Sequence, residues 1–254
     1  MTSEPSTVPA LERVADAAAV DALRLGHLSE HFDPFLRPFA LDTFRTGGEV
    51  WVSRSGNDVD GLFLYLESEG FGSIFTLDRA VAEAFSTFHV GRSIYTDFPF
   101  GAAPETFGIY AVELGPIPPT HRFRHSVRLA RDADRDAVLR LMRDVHGGVD
   151  DRWFRSMVRN DEVGFVVDGP AEIAGVAWVS VAGSTGRLHS ISVRPRYRRT
   201  GVGTDLWHAR AIWAERAGAR RLLTEISDQN PGSRALSEAA GMRRVGELYR
   251  CVRA

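Results

Sequence analysis

Hydrophobic and polar positions along the chain change period several times. Leu11, Val14, Ala18, Leu23 and Leu28 recur at helical spacing and predict a helix over 10–31. Short runs of branched and aromatic residues then predict strands at Glu49–Ser53, Gly61–Leu66 and Ser73–Leu77. Asp78–Phe88 reads as a helix with Asp78 near its start, and Ser93–Phe98 and Phe107–Leu114 as two further strands. Gly115–Thr120 is GPIPPT, and three prolines in six residues are hostile to helix and central strand alike. A domain boundary is placed there, giving domains 1–120 and 121–254.

The pattern then starts again. Ser126–Ala130 predicts a strand, and Asp132–Val145 an amphipathic helix with Val138, Leu139, Met142 and Val145 on one face. Trp153–Val158 continues as a second helical stretch. Val163–Val167 and Ala174–Val181 read as a hairpin, followed by a strand at Arg187–Val193. A helix is expected from about Gly203 to Ala217, a strand at Arg221–Ser227, a short helix over Ser233–Ala240 ended by Gly241, and a last strand at Val245–Val252. EVWVS, GLFLYL and GSIFT in the first half match GFVVD, GVAWVS and HSISV in the second in pattern, not identity. Their strand order repeats at a period of about 115 residues, which suggests duplication.

Composition narrows the function classes. The 254 residues are 44% hydrophobic and 25% charged, an ordinary globular balance. No apolar run is long enough for a membrane helix, and the polar N-terminus lacks the layout of a signal peptide, so a cytoplasmic protein is expected. A lone cysteine, Cys251, excludes an intrachain disulfide and a cysteine-based zinc site. All 31 basic residues are Arg, so Schiff-base chemistry and a P-loop lysine are excluded. Charge is uneven. Residues 1–120 hold 7 Arg and 17 acids, net -10, and residues 121–254 hold 24 Arg and 16 acids, net +8. The split suits halves that meet different ligands, the acidic one drawing a cationic acceptor; mutual neutralisation explains it as simply. No aromatic interleaving of the Arg residues points to nucleic acid.

The chemistry concentrates at Arg198-Arg199-Thr200-Gly201-Val202-Gly203-Thr204, between a predicted strand and helix. Leu206 stands where a dinucleotide fingerprint needs a third glycine. The segment instead offers a run of backbone N–H groups at a helix N-terminus, with arginines around it, which suits a pyrophosphate. His121 and His125 are spaced for a metal on a helix, but no third ligand is near, and no metal site is expected. Asp150 and Asp151, and Asp132, Asp134 and Asp136, read as solvated or helix-start charges.

LHSISVRPRYRRTGVGTDLWHA resembles the main motif of the GNAT acetyltransferase superfamily: strand, Arg/Gln-x-x-Gly-x-Gly/Ala, helix. Asn230, Ala235-Leu236 and Gly241-Met242 match part of that family's second motif, and the resemblance covers about residues 126–252. It implies a GNAT fold, a mixed and mostly antiparallel central sheet flanked by helices, here tandem with a degenerate N-terminal lobe. The implied activity is acetyl transfer from acetyl-CoA to a small-molecule amine. Ile191, Ser192 and Val193 would pair with the pantetheine arm. Arg198, Arg199, Thr200, Gly201, Val202, Gly203 and Thr204 would hold the pyrophosphate, and Asn230 and Ser233 the rest of the CoA chain. Glu225 is the first choice as base and His189 the second. Ser237 replaces the family's usual acid tyrosine, so the CoA thiolate leaves without an acid, or water or Tyr249 serves as proton donor. It also opens the alternative of a non-catalytic acyl-CoA-binding or regulatory protein. Neither nucleic acid nor membrane is an expected partner.

Overall fold

A computed structural model describes residues 11–26, 28, 36–45, 47–66, 71–88, 93–99, 104–115, 122–146 and 162–252. The Pro-rich segment 116–120, His121, Asp150, Asp151 and the helical stretch expected at Trp153–Val158 lie outside these residues. Two compact units form, one from 1–108 with 246–254, the other from 109–245. This differs from the boundary expected at 115–120. Strand β6, Glu105–Glu113, runs through the division, and the C-terminal residues return to the first unit to pair with a strand there.

In the first unit, β1 (Leu11–Arg13), β2 (Glu49–Ser55), β3 (Asp58–Leu66) and β4 (Phe71–Thr76) form an antiparallel run. The helix expected over 10–31 is replaced by β1 and a short helix α1, Ala17–Asp21. Leu11 follows helical spacing, but its backbone groups are taken by β2 opposite Ser53. Helix α2, Leu36–Arg45, has no counterpart in the pattern read from sequence. From β4 the chain crosses through α3, Arg79–Phe88, to a parallel strand β5, Ser93–Thr96. Residues Val252 to Tyr249 then pair antiparallel with β5. Phe63, Ile74, Val81, Ala82 and Ile94 pack between sheet and helix.

The second unit follows the same plan. β7 (Val127–Leu129), β8 (Val163–Asp168), β9 (Ile173–Ala182) and β10 (Thr185–Val193) pair antiparallel in sequence. A crossover through α5, Val202–Arg216, leads to the parallel strand β11, Arg221–Ser227. Helix α4, Arg135–His146, precedes β8; α6, Pro231–Ala239, and β12, Arg243–Val252, follow β11. The sheet is mixed and mostly antiparallel with helices on both faces, as expected. Leu188, Ile226, Ala211 and Ala214 belong to the core under α5, while Val138, Leu141, Val176 and Trp178 form the core under α4. Gly175 makes the α5 side possible: a Cβ there would lie 2.7 Å from Val202 Cγ1 and 3.0 Å from Leu206 Cδ1. No described helix is long and apolar enough to cross a membrane.

Candidate active site

Strand β10 sets the geometry. Thr185 to Arg187 pair in parallel with Arg221 to Leu223 of β11, and there the pairing stops. On the other side β10 stays with β9 but slips register between His189 and Ser192. Ser190 sits in this bulge at φ 51°, a left-handed value that strains a residue with a side chain. Among the described residues, the β11-facing edge of β10 has no strand partner beyond Arg187. Such an edge offers N–H and C=O groups to any extended, amide-bearing chain.

Arg210 holds the bulge from the α5 side. It is 2% exposed. Its Nη1 donates to the carbonyls of Trp178 at 3.2 Å and His189 at 3.3 Å, and its Nε to the Leu206 carbonyl at 3.3 Å. Trp178 and His189 are register partners, so one guanidinium ties both strands where their ladder breaks. Burial lowers the Arg210 pKa to about 9, and it remains a cation at neutral pH.

The chain then turns through Arg199 at φ 65° and Gly201 at φ 103° into α5. The Asp205 N–H is the first to find a helical acceptor, the Gly201 carbonyl at 2.9 Å. Among the described residues no backbone carbonyl accepts the N–H groups of Arg199 through Thr204. These six donors lie at the positive end of the helix dipole, with Arg198 and Arg199 exposed beside them. Unpaired N–H groups at a helix N-terminus with cations beside them suit an anion.

Two features here escaped the sequence reading. Asp205, 1% exposed, accepts the N–H groups of Arg124 and His125 on Oδ2 at 3.1 and 2.9 Å, and the same oxygen lies 2.9 Å from His125 Nδ1. His125 is thereby engaged with Asp205, and the described residues contain no metal-binding cluster. The clamp lays the Arg124 side chain across Gly201, where a Cβ would be 2.9 Å from Arg124 Cδ.

Leu188 and Ile226 face α5, so the alternating residues Arg187, His189 and Glu225 share the opposite face. Arg187 donates to Glu225 from Nε at 3.3 Å to each oxygen and from Nη2 at 3.2 Å. His189 Nε2 is 3.1 Å from the buried Glu162 carboxylate, out of line for a hydrogen bond. Burial pushes the His189 pKa down, and Glu162 opposes that shift. His189 Nδ1 lies 3.1 Å from Ser190 Oγ. Ser192, also buried, has its Oγ 2.7 Å from His146 Nε2 at the end of α4. Burial and the nearby Arg198 both lower the His146 pKa.

Asn230 caps α6, its Oδ1 accepting the Ser233 N–H at 3.1 Å. Ser237 is buried in α6. Tyr249 lies in the segment that pairs with β5 in the first unit, and its phenol donates to Glu247 at 2.7 Å.

A strand that parts from its parallel neighbour beside a glycine-started helix is the decisive geometry, and the comparisons agree with it. The family model for the acetyltransferase (GNAT) family matches residues 129–242. Residues 129–242 are a GNAT acetyltransferase domain. No curated protein matches the chain in sequence. Among solved structures, a GCN5-related N-acetyltransferase from Sphaerobacter thermophilus has a TM-score of 0.61 at 14% identity, covering 98% of each chain. A tandem GNAT protein from the clavulanic acid biosynthesis pathway has a TM-score of 0.63 at 16% identity, covering 96% of this chain and 98% of its own. A GNAT acetyltransferase from Colwellia psychrerythraea has a TM-score of 0.62 at 9% identity, covering 96% and 100%. These likenesses show the fold. The family match adds that residues 129–242 carry an acyltransferase domain of the GNAT type.

The first unit lacks the anion site at its own crossover. Asp78 Oδ1 accepts the N–H of Ala80 at 2.7 Å and of Val81 at 3.4 Å. A carboxylate therefore occupies the place where α5 presents free donors.

Proposed function

We propose that this protein transfers an acetyl group from acetyl-CoA to the amine of a small molecule. The observation that carries the reading is the parting of β10 from β11 after Arg187 and Leu223, directly before the unpaired N–H groups of the Gly201 turn. A pantetheine arm has the amides to pair with Ile191 and Val193, and a pyrophosphate has the charge to match Arg199 to Thr204 and Arg198. Asn230 and Ser233 stand at the start of α6 to meet the rest of the CoA chain.

Acetyl transfer needs a neutral amine, an aligned thioester and a proton for the departing thiolate. Glu225 and His189 share the sheet face opposite α5 and are the two described groups suited to take the amine's proton. No tyrosine stands in α6. Ser237 in its place favours the second reading, an acyl-CoA-binding protein without turnover. Calorimetry with acetyl-CoA and a thiol-release assay over a panel of primary amines test both. The proposal expects binding with amine-dependent thiol release. Binding without release from any amine supports the second reading, and no binding refutes both.

A further inference from the structure

We propose that Glu162, His189 and Ser190 form a proton relay, in which Ser190 meets the acceptor amine and Glu162 is the positioning residue for His189. The inference rests on the acetyl-transfer reading and assigns its proton path. His189 is deep in the unit, its side chain 9% exposed and that of Glu162 2%. Ser190, partly exposed in the bulge of β10, holds its hydroxyl 3.1 Å from that imidazole's Nδ1.

Charge balance sets the resting state. Glu162 before β8, Arg187 on β10 and Arg210 on α5 all act on His189, and Glu225 on β11 reaches it through Arg187. Two carboxylates and two guanidiniums cancel, so the buried cluster is neutral only with a neutral imidazole. A carboxylate beside Nε2 favours a proton on that nitrogen. Nδ1 then keeps its lone pair and accepts the Ser190 hydroxyl.

In the proposed step, an ammonium N–H bond breaks as its proton passes to Ser190 Oγ. The original Ser190 proton moves to His189 Nδ1, giving an imidazolium that faces Glu162. The freed amine forms its bond to the acetyl carbon, and the carbon–sulfur bond breaks. The relay runs backward to protonate the CoA thiolate, and the second amine proton leaves to water. One group thus serves as base and then as acid, which a helix without the usual tyrosine requires.

The test uses the full chain labelled with ¹⁵N-histidine, the His189 signal being assigned by its loss in His189→Gln. The relay expects neutral His189 to carry its proton on Nε2. It expects Glu162→Gln to lower the His189 titration by about one pH unit or more, since a carboxylate that favours the cation is removed. With an active amine, the rising limb of kcat/KM against pH should move the same way, and its plateau should fall at least about tenfold. Ser190→Ala should lower kcat by a similar factor with acetyl-CoA affinity unchanged. A His189 proton on Nδ1, a titration indifferent to Glu162→Gln, or full kcat in Ser190→Ala overturns the relay, as does a rising limb that vanishes only in Glu225→Gln. Should Glu162→Gln fail to fold, the tautomer and Ser190→Ala still decide. The titration needs no acceptor, so a silent amine panel counts against the acetyl-transfer reading and leaves the relay to be judged on its own.

Discussion

Gly201 and Gly203 look alike in the motif, yet the structure predicts that alanine at each has opposite effects. Gly201 is the N-cap of α5 at φ 103° and ψ -6°. An L-residue held in the left-handed region costs about 1–2 kcal/mol. The new Cβ would also stand 2.9 Å from Arg124 Cδ. That atom belongs to a flexible side chain and can move, but its movement takes a cation off the anion site. Gly203 has an ordinary helical backbone, and a Cβ there would make van der Waals contact with Leu236 Cδ2 at 3.5 Å and Val193 Cγ2 at 4.0 Å. Gly→Ala within a helix gains up to about 1 kcal/mol, less in the first turn. The stabilities of the two variants should therefore differ by about 2 kcal/mol, measured by urea unfolding. Calorimetry should show acetyl-CoA affinity falling about tenfold in Gly201→Ala, the equivalent of 1.4 kcal/mol, and by less than about threefold in Gly203→Ala. Aspartate at either position adds a charge facing the pyrophosphate and should abolish binding. Equal stability of the two alanine variants, or equal loss of affinity, would refute the assignment of the turn.

Asp205→Ala should destabilise the chain by about 2–4 kcal/mol in urea unfolding, because three donors lose one buried acceptor; a change under about 0.5 kcal/mol would show that the clamp holds nothing. The Arg128 guanidinium, bonded to Asp134 at 2.7 and 2.9 Å, holds that carboxyl below its ordinary value. A depressed folded value gives stability that is present above about pH 4 and is lost as pH falls through it. Arg128→Gln should therefore flatten the acid limb of stability against pH, and a parallel limb would exclude the pair as its source. A fragment of 121–254 should not fold, by circular dichroism and cooperative melting. It lacks Tyr110, which is 2% exposed in the second unit's core, and the Leu114 N–H bonded to the Arg220 carbonyl at 2.7 Å. It also carries residues 249–252 without their partner β5. A sharp melting transition in the fragment would overturn the division into units.

What was legible in the sequence was local. The Gly201 turn, the N-cap role of Asp78 and the α4 face of Val138, Leu139 and Met142 each follow from neighbours within a few residues, and all are found. Non-local pairing defeated the pattern where it competed. Leu11 fits a helical stripe, but an edge beside β2 takes it as a strand. The pattern does not single out Leu36–Arg45 as a helix; its Pro38 falls in the first turn of α2, where a missing N–H removes no helical bond. The units divide at 108 and 245, inside β6 and β12, and not at the Pro-rich segment.

The same reasoning explains why half of the candidate site was invisible. Nothing within a few residues of Glu162, Asp205 and Arg210 names a partner, so the sequence alone does not single them out. Each acquires one only through the fold: Glu162 from His189 on β10, Asp205 from the segment before β7, Arg210 from facing carbonyls of β9 and β10. The absence of lysine, which composition alone refers to base usage in the genome, also takes on local meaning at Arg210. Its planar fork reaches the Trp178 and His189 carbonyls from one nitrogen and the Leu206 carbonyl from another. A single ammonium on a flexible stem lacks that fixed spread of donors. The bulge between β9 and β10 is thus held by a residue type that tolerates burial as a cation. This buried arginine ties β9 to β10 where their ladder breaks, just ahead of the clustered glycines.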